Sequence, residues 1–252
     1  MTPALQQAAF AAFLIFCRIG ACLMMLPGFA SVRIAPQLRV LLAFAVSLAL
    51  TPLLYDGVAR LAAEGTSNLF LVIAGETAAG GLIGLMARLQ LLALHFAAGF
   101  AAGTIGLAGM PGMPMDDSDA SPPLTTLVSM AATLMLFAAG LHLEVLRALV
   151  ESYRALPPGA SLDSRFMLRH LMQVTTDSSV LALRLAGPFA VYSIAVNLAI
   201  GFAGKFAPQV PLYFASLGVV TMGGLFLFYW LAPAWLSLFA DAYGGWLMGL
   251  GS

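Results

Sequence analysis

Apolar residues come in long unbroken runs, and the polar ones are bunched between them. The first run covers about Ala8 to Leu26 and ends at Pro27. A short link carrying Arg33, Pro36 and Arg39 leads into a second run, Val40 to Leu54, in which Pro52 predicts a kink or an early stop. After a polar stretch (Asp56, Arg60, Glu64, Ser67, Asn68), apolar sequence continues from Leu69 to Leu107. A single crossing takes ~20 residues, so this run predicts either two spans or one long kinked helix. Further runs cover Leu124 to Leu141, Val180 to Phe202 and Val210 to Leu238. None alternates with a period of two, so the runs predict helices and not the strands of a barrel.

The longest polar segment, 144–179, sets Arg147, Arg154, Arg165 and Arg169 against Glu144, Glu151, Asp163 and Asp177. Within it, Leu162, Phe166 and His170 share a stripe, with Met167 and Leu171 beside it. That spacing predicts a short amphipathic surface helix capped by Ser161 or Asp163. Trp230, Trp235 and Trp246 all fall near the C-terminus, where the amphipathic indole is expected as an interface anchor. Orientation depends on how often 69–107 crosses. Two crossings put Arg33, Arg39, Arg88 and the four arginines of 144–179 on one side, whereas a single crossing sets Arg60 and those four against Arg33, Arg39 and Lys205, a difference too small to orient the chain.

Composition sharpens the class. Of 252 residues, 61% are hydrophobic and 9% charged, against roughly 25% charged in soluble domains. The expectation is an all-α, multi-span membrane-associated chain of about six apolar helices, arranged as hairpins in a single domain over 1–252. Net charge is zero and no basic tract exists, which argues against a nucleic-acid partner. No basic residue precedes the first run and Arg18 interrupts it, so the N-terminus does not read as a cleavable signal. Cys17 and Cys22, five apart on one helix, suit neither a disulfide nor a metal site and read as small packing residues.

Charges inside apolar runs are costly and therefore informative. Arg88, Arg184 and Lys205 lie near span ends, where they can snorkel. Arg18 and Glu76 sit deeper; pairing across helices and an ion relay are both open to them. Gly80, Gly81 and Gly84 follow Glu76 on one helix, and Gly99 with Gly103 repeats the four-residue spacing, which allows close helix approach. The sequence holds no HExxH, GxSxG, phosphate loop or CxxC. Tyr55-Asp56 lacks the second half of an intramembrane aspartyl-protease pair, and His95, His142 and His170 stand apart. No catalytic centre, metal site or cofactor is expected.

One segment resists the helical reading. Residues 103–123, GTIGLAGMPGMPMDDSDASPP, place Gly103, Gly106, Gly109 and Gly112 among Pro111, Pro114, Met110, Met113 and Met115, then Asp116, Asp117 and Asp119. Asp116 to Pro123 suits an exposed turn. Gly103 to Met115 is too apolar for one, and irregular backbone at membrane depth survives only where protein buries it or a cavity solvates it. Methionine moulds around varied surfaces. The segment therefore reads as a pore lining or plug that excludes water and ions at rest and yields to a passing chain.

The order of landmarks resembles the FliR family of flagellar type III export-gate proteins, which is related to the corresponding injectisome gate family. The resemblance covers nearly the whole chain: Arg18 and Pro27; Pro36, Arg39 and Pro52; Glu76 with Gly80 and Gly84; Gly99, Gly103 and Gly106 before the loop. It continues through Gly140 and His142, Ser152-Tyr153, Leu156-Pro157 and Asn197 through Gln209, NLAIGFAGKFAPQ. Departures lie at Asp116-Asp117, where the family often has Asp-Pro, at Lys205 in place of arginine, and after Gln209. The resemblance implies a non-enzymatic subunit of a gate built with FliP and FliQ. FlhB and FlhA are implied as further export components, and unfolded flagellar proteins as cargo. It places the gate in the bacterial inner membrane at the basal body, with most of the assembly above the membrane plane. It assigns a plug role to positions 106–122, hence Gly106, Gly109, Met110, Pro111, Gly112, Met113 and Met115. It also makes Arg18, Glu76, Arg184, Lys205, Gly80 and Gly84 candidates for subunit packing. The rival reading is a secondary transporter with a broken helix near 103–115 and Glu76 or Arg184 as coupling group, although no inverted repeat is visible.

Overall fold

The computed structural model describes residues 3–30, 34–63, 69–108, 122–159, 164–206, 209 and 212–250. Seven helices form: α1 (Pro3–Met25), α2 (Pro36–Ala63), α3 (Leu69–Thr104), α4 (Pro123–Ala138), α5 (Leu141–Ala155), α6 (Ser164–Phe206) and α7 (Leu212–Leu250), with no strand among the described residues. Five are long and apolar enough to cross a membrane, and α4 with α5, broken at Gly140, would make a sixth. The all-α, multi-span class expected from the sequence is the class found.

The run from Leu69 is one continuous helix of 36 residues. No proline interrupts it, so nothing forces the turn that two crossings would need. Of the two alternatives the sequence offered, the single long helix is the one found. Pro52 does not end α2, which continues through it to Ala63. Ser47 and Thr51 turn their hydroxyls onto the Ala43 and Ser47 carbonyls in the turn before it. The amphipathic stretch at 162–171 is likewise no separate surface helix. From Ser164 it forms the first turns of α6, which runs for 43 residues; Ser161 and Asp163 lie outside the described residues. The amphipathic helix of this region is instead α5.

The chain divides into two compact units. The first comprises Met1–Leu89, Phe137–Thr175 and Tyr243–Ser252. Its core begins on α1, where Ala11, Leu14, Ile15, Arg18, Ile19 and Cys22 recur at helical spacing and are all buried. The matching face of α3 is Val72, Glu76, Ala79, Ile83 and Ala87, and that of α5 is Val145, Ala148, Leu149 and Ser152. Helix α2 lies along α1, with Phe16 edge-on to Phe44 at 6.2 Å. Both cysteine thiols are free, and Cys22 is buried.

The second unit comprises Gln90–Leu136 and Thr176–Ala242. Its core holds Leu94, Ala97, Ala98, Ala101 and Ala102 of α3 and Ile105 just past its end, with Phe189 of α6 set edge-on to Trp235 of α7 at 5.5 Å. Trp235 is therefore a core residue, as is Trp246 in the first unit, where it meets the Tyr243 ring. Of the three indoles expected at an interface, Trp230 alone is exposed. Both long helices also expose large apolar side chains: Leu168, Met172, Leu183, Val191, Ile194, Leu198, Phe202 and Phe206 on α6 are exposed, among polar Asp177, Arg184 and Lys205. So are Phe214, Val219, Met222, Phe226, Tyr229, Trp230 and Met248 on α7.

Candidate functional site

Two constellations bear on function, one in each unit. In the first, Arg18 is 2% exposed because its place on the apolar stripe of α1 leaves it nowhere else to point. Its Nε donates to Glu76 Oε2 at 2.8 Å and its Nη2 to Glu76 Oε1 at 3.0 Å, a bidentate pair between α1 and α3. Nη1 donates to Ser152 Oγ at 3.3 Å, and Nη2 donates again to the Leu156 carbonyl at 3.0 Å. Leu156 caps the C-terminal end of α5, where carbonyls lack helical partners and a positive charge is favourable. The guanidinium carbon lies 3.9 Å from the centre of the Tyr153 ring. One side chain thus ties α1, α3 and α5 together.

Glycine makes that approach possible. A Cβ at Gly80 would collide with the Arg18 carbonyl, and one at Gly84 would lie 2.6 Å from the Cys22 carbonyl. Gly81, Gly103 and Gly99 are different: the first two face open space and the third meets only Thr125 Oγ1 at 3.8 Å. The small-residue spacing therefore has its close contacts at Gly80 and Gly84 alone, against α1 of the same chain. Tyr153 offers a test of which contact matters. Its buried hydroxyl has no hydrogen-bond partner among the described residues, so Tyr153→Phe should leave the heat resistance of the detergent-solubilised chain unchanged or raised. Tyr153→Leu, which removes the ring from the guanidinium, should lower it by about 2 kcal/mol.

In the second unit, α3 is stopped by a built C-terminus. Gly106 has φ +82°, the left-handed region that suits glycine. The Leu107 N–H bonds the Ala102 carbonyl at 2.8 Å and the Gly106 N–H bonds the Gly103 carbonyl at 3.4 Å, the pair of bonds that closes a Schellman motif. Thr221 of α7 donates its hydroxyl to the Ile105 carbonyl at 2.8 Å, and Tyr192 of α6 donates to the Val220 carbonyl at 2.6 Å. At the far end of the segment, Pro122 accepts from the Thr126 backbone N–H at 3.1 Å and Pro123 opens α4, the first helical position where proline fits.

Among the sequence-predicted residues, the structure brings Arg18, Glu76, Gly80 and Gly84 together in one unit. Arg184 and Lys205 are exposed on α6 and belong to neither constellation. Gly106 is the root of the segment, while Gly109, Met110, Pro111, Gly112, Met113 and Met115 lie outside the described residues. Ser152, Tyr153 and Leu156 were visible only as landmarks of a resemblance, and Thr221 and Tyr192 not at all. For Ser152 the signal was present: it shares a helical stripe with Val145, Ala148 and Leu149. No group of three or more metal-ligating side chains is found among the described residues.

Long apolar helices fit to cross a membrane, tied by the buried Arg18–Glu76 ion pair and by glycine contacts, define the class as a multi-span helical protein. The chain belongs to the bacterial export proteins, family 1, whose pattern matches residues 9–245. It is similar to the flagellar biosynthetic protein FliR of Caulobacter vibrioides, 27% identical over 220 residues that make up 86% of each chain.

Proposed function

We propose that this chain is a subunit of the flagellar type III export gate in the bacterial inner membrane, at the basal body. The observation that carries the reading is a mismatch of lengths. Large apolar side chains are exposed at both ends of each helix, Leu168 and Phe206 on α6 and Phe214 and Met248 on α7, with polar Gln173, Asp177 and Arg184 exposed between them on α6 and Asp241 on α7. At 1.5 Å per residue those stretches are about 57 and 51 Å long, against ~30 Å of bilayer hydrocarbon. Lipid covers little more than half of either length, which leaves apolar ends for other protein to cover. FliP and FliQ, named by the family resemblance, fill that role, and an assembly standing largely above the membrane plane accounts for the excess. FlhB and FlhA are the further export components, and unfolded flagellar proteins the cargo. The whole chain works as one gate subunit and catalyses nothing itself.

Within that gate, residues 106–122 serve as part of the plug. The support is twofold: the apolar, methionine-bearing composition up to Met115, and the finished helix ends at Gly106 and Pro123 on either side of the segment. Deleting Gly109–Met115, which spares the turn at Gly106, should raise the potassium chloride conductance of the assembled gate in planar bilayers. A deleted gate as tight as the intact one removes the plug role.

A further inference from the structure

A threonine inside an α-helix ordinarily turns its hydroxyl back onto a carbonyl of its own helix. Thr51, Thr77, Thr133 and Thr175 all do so here, at 2.7–2.8 Å. Thr221 does not. Its hydroxyl crosses to the Ile105 carbonyl, 116 positions away along the chain. That acceptor belongs to the buried residue just before Gly106, at the terminus where helix carbonyls lack partners of their own.

The surrounding residues are shaped for the same contact. A Cβ at Gly224 would strike the Ile105 side chain, and one at Gly223 would lie 2.7 Å from Tyr192 Oη. Tyr192 in turn bonds the Val220 carbonyl, in the same turn of α7 as Thr221. Gly106 itself leaves no room on its α7 side, since a Cβ there would lie 2.8 Å from Leu217 Cδ1. Three helices thus meet at the stopped end of α3, and two hydroxyl groups fasten the joint.

We infer that Thr221 is a positioning residue for gating: by pinning the Ile105 carbonyl to α7, it fixes the point from which the chain leaves α3 toward the plug. This rests on the plug role proposed above. The joint acts through direction. Helix α3 ends at Gly106 with or without the Thr221 hydroxyl; what the hydroxyl adds to the packing against α7 is the directional bond on the Ile105 carbonyl.

The test uses the purified gate, with the amount of this chain retained in it as a second measurement. Thr221→Val keeps the shape and removes the hydroxyl. It should raise resting potassium chloride conductance several-fold at unchanged retention, Thr221→Ser should restore tightness, and deletion of Gly109–Met115 on top of Thr221→Val should add nothing. If the deletion alone leaks while Thr221→Val is tight at full retention, the inference is overturned and the plug stands. If the deletion alone is tight, the plug reading itself has failed. Should Thr221→Val be lost from the gate, Gly106→Ala strains the same root without touching Thr221 and must leak in its place. Loss of both variants from gates that retain the deleted chain would mean that the joint holds the fold and not the plug, which also overturns the inference.

Discussion

Arg18→Met should cost the folded chain about 3–5 kcal/mol, a large share of the stability of an ordinary domain. The methionine fills the volume and stays on the apolar stripe of α1, so the loss is electrostatic. Glu76, itself 2% exposed, keeps its carboxylate but loses the bidentate partner, and the α5 terminus loses its donor at Leu156. Arg18→Lys should rescue little. An ammonium is a compact point charge and cannot present the planar fork that here reaches a carboxylate, a hydroxyl and a carbonyl at once. Glu76→Gln should be nearly as damaging as Arg18→Met, because it strands the guanidinium. The double variant Arg18→Met with Glu76→Met should be milder than the sum of its parts, since removing both charges leaves none buried without a partner. The measurement is the heat-resistant fraction of the detergent-solubilised chain across this cycle. Strict additivity in the double variant would mean that the two side chains do not act as a pair.

That pair also marks how much of the site could be read from the chain. Arg18 and Glu76 were legible as costly charges in apolar runs, because hydrocarbon penalises an unpaired charge whatever the fold. Their convergence with Ser152 and Leu156 was not legible. Those residues lie 134 and 138 positions from Arg18, and nothing in helical periodicity says which two stripes will face each other. Helix existence was legible for the same reason that boundaries were not. Long apolar runs demand internally bonded backbone, but Pro52, Pro188 and Pro233 all lie inside helices here, where proline in water-soluble chains usually stops or kinks one. The indoles misled by a similar route. An interface position suits tryptophan, yet burial against Phe189 or Tyr243 satisfies the ring equally well. At the segment root, the glycines announced irregular backbone, whereas the threonine that fastens it looked like any other hydroxyl in an apolar helix.

Adjacent glycines on α3 should answer alanine in opposite ways. At Gly80 the added methyl group would overlap the carbonyl of Arg18, which is backbone and cannot rotate aside. Helices α1 and α3 must then separate, and the bidentate bonds between Arg18 and Glu76 lengthen with them. Overpacking usually costs about 1–3 kcal/mol, and a clash against backbone belongs at the upper end, before any loss from the ion pair is counted. At Gly81 nothing lies within 4 Å of the new atom. There alanine replaces the residue that loses most freedom in a helix, a gain of about 0.8–1.0 kcal/mol. The comparison holds helix, neighbourhood and substitution constant, so expression or insertion effects common to both variants cancel. Heat resistance of the solubilised chain should fall for Gly80→Ala and hold or rise for Gly81→Ala, with Gly84→Ala on the losing side. An equal response at Gly80 and Gly81 would mean that α3 does not lie against α1 through this face. The arginine would then have to reach its carboxylate across a gap that the present contacts do not contain.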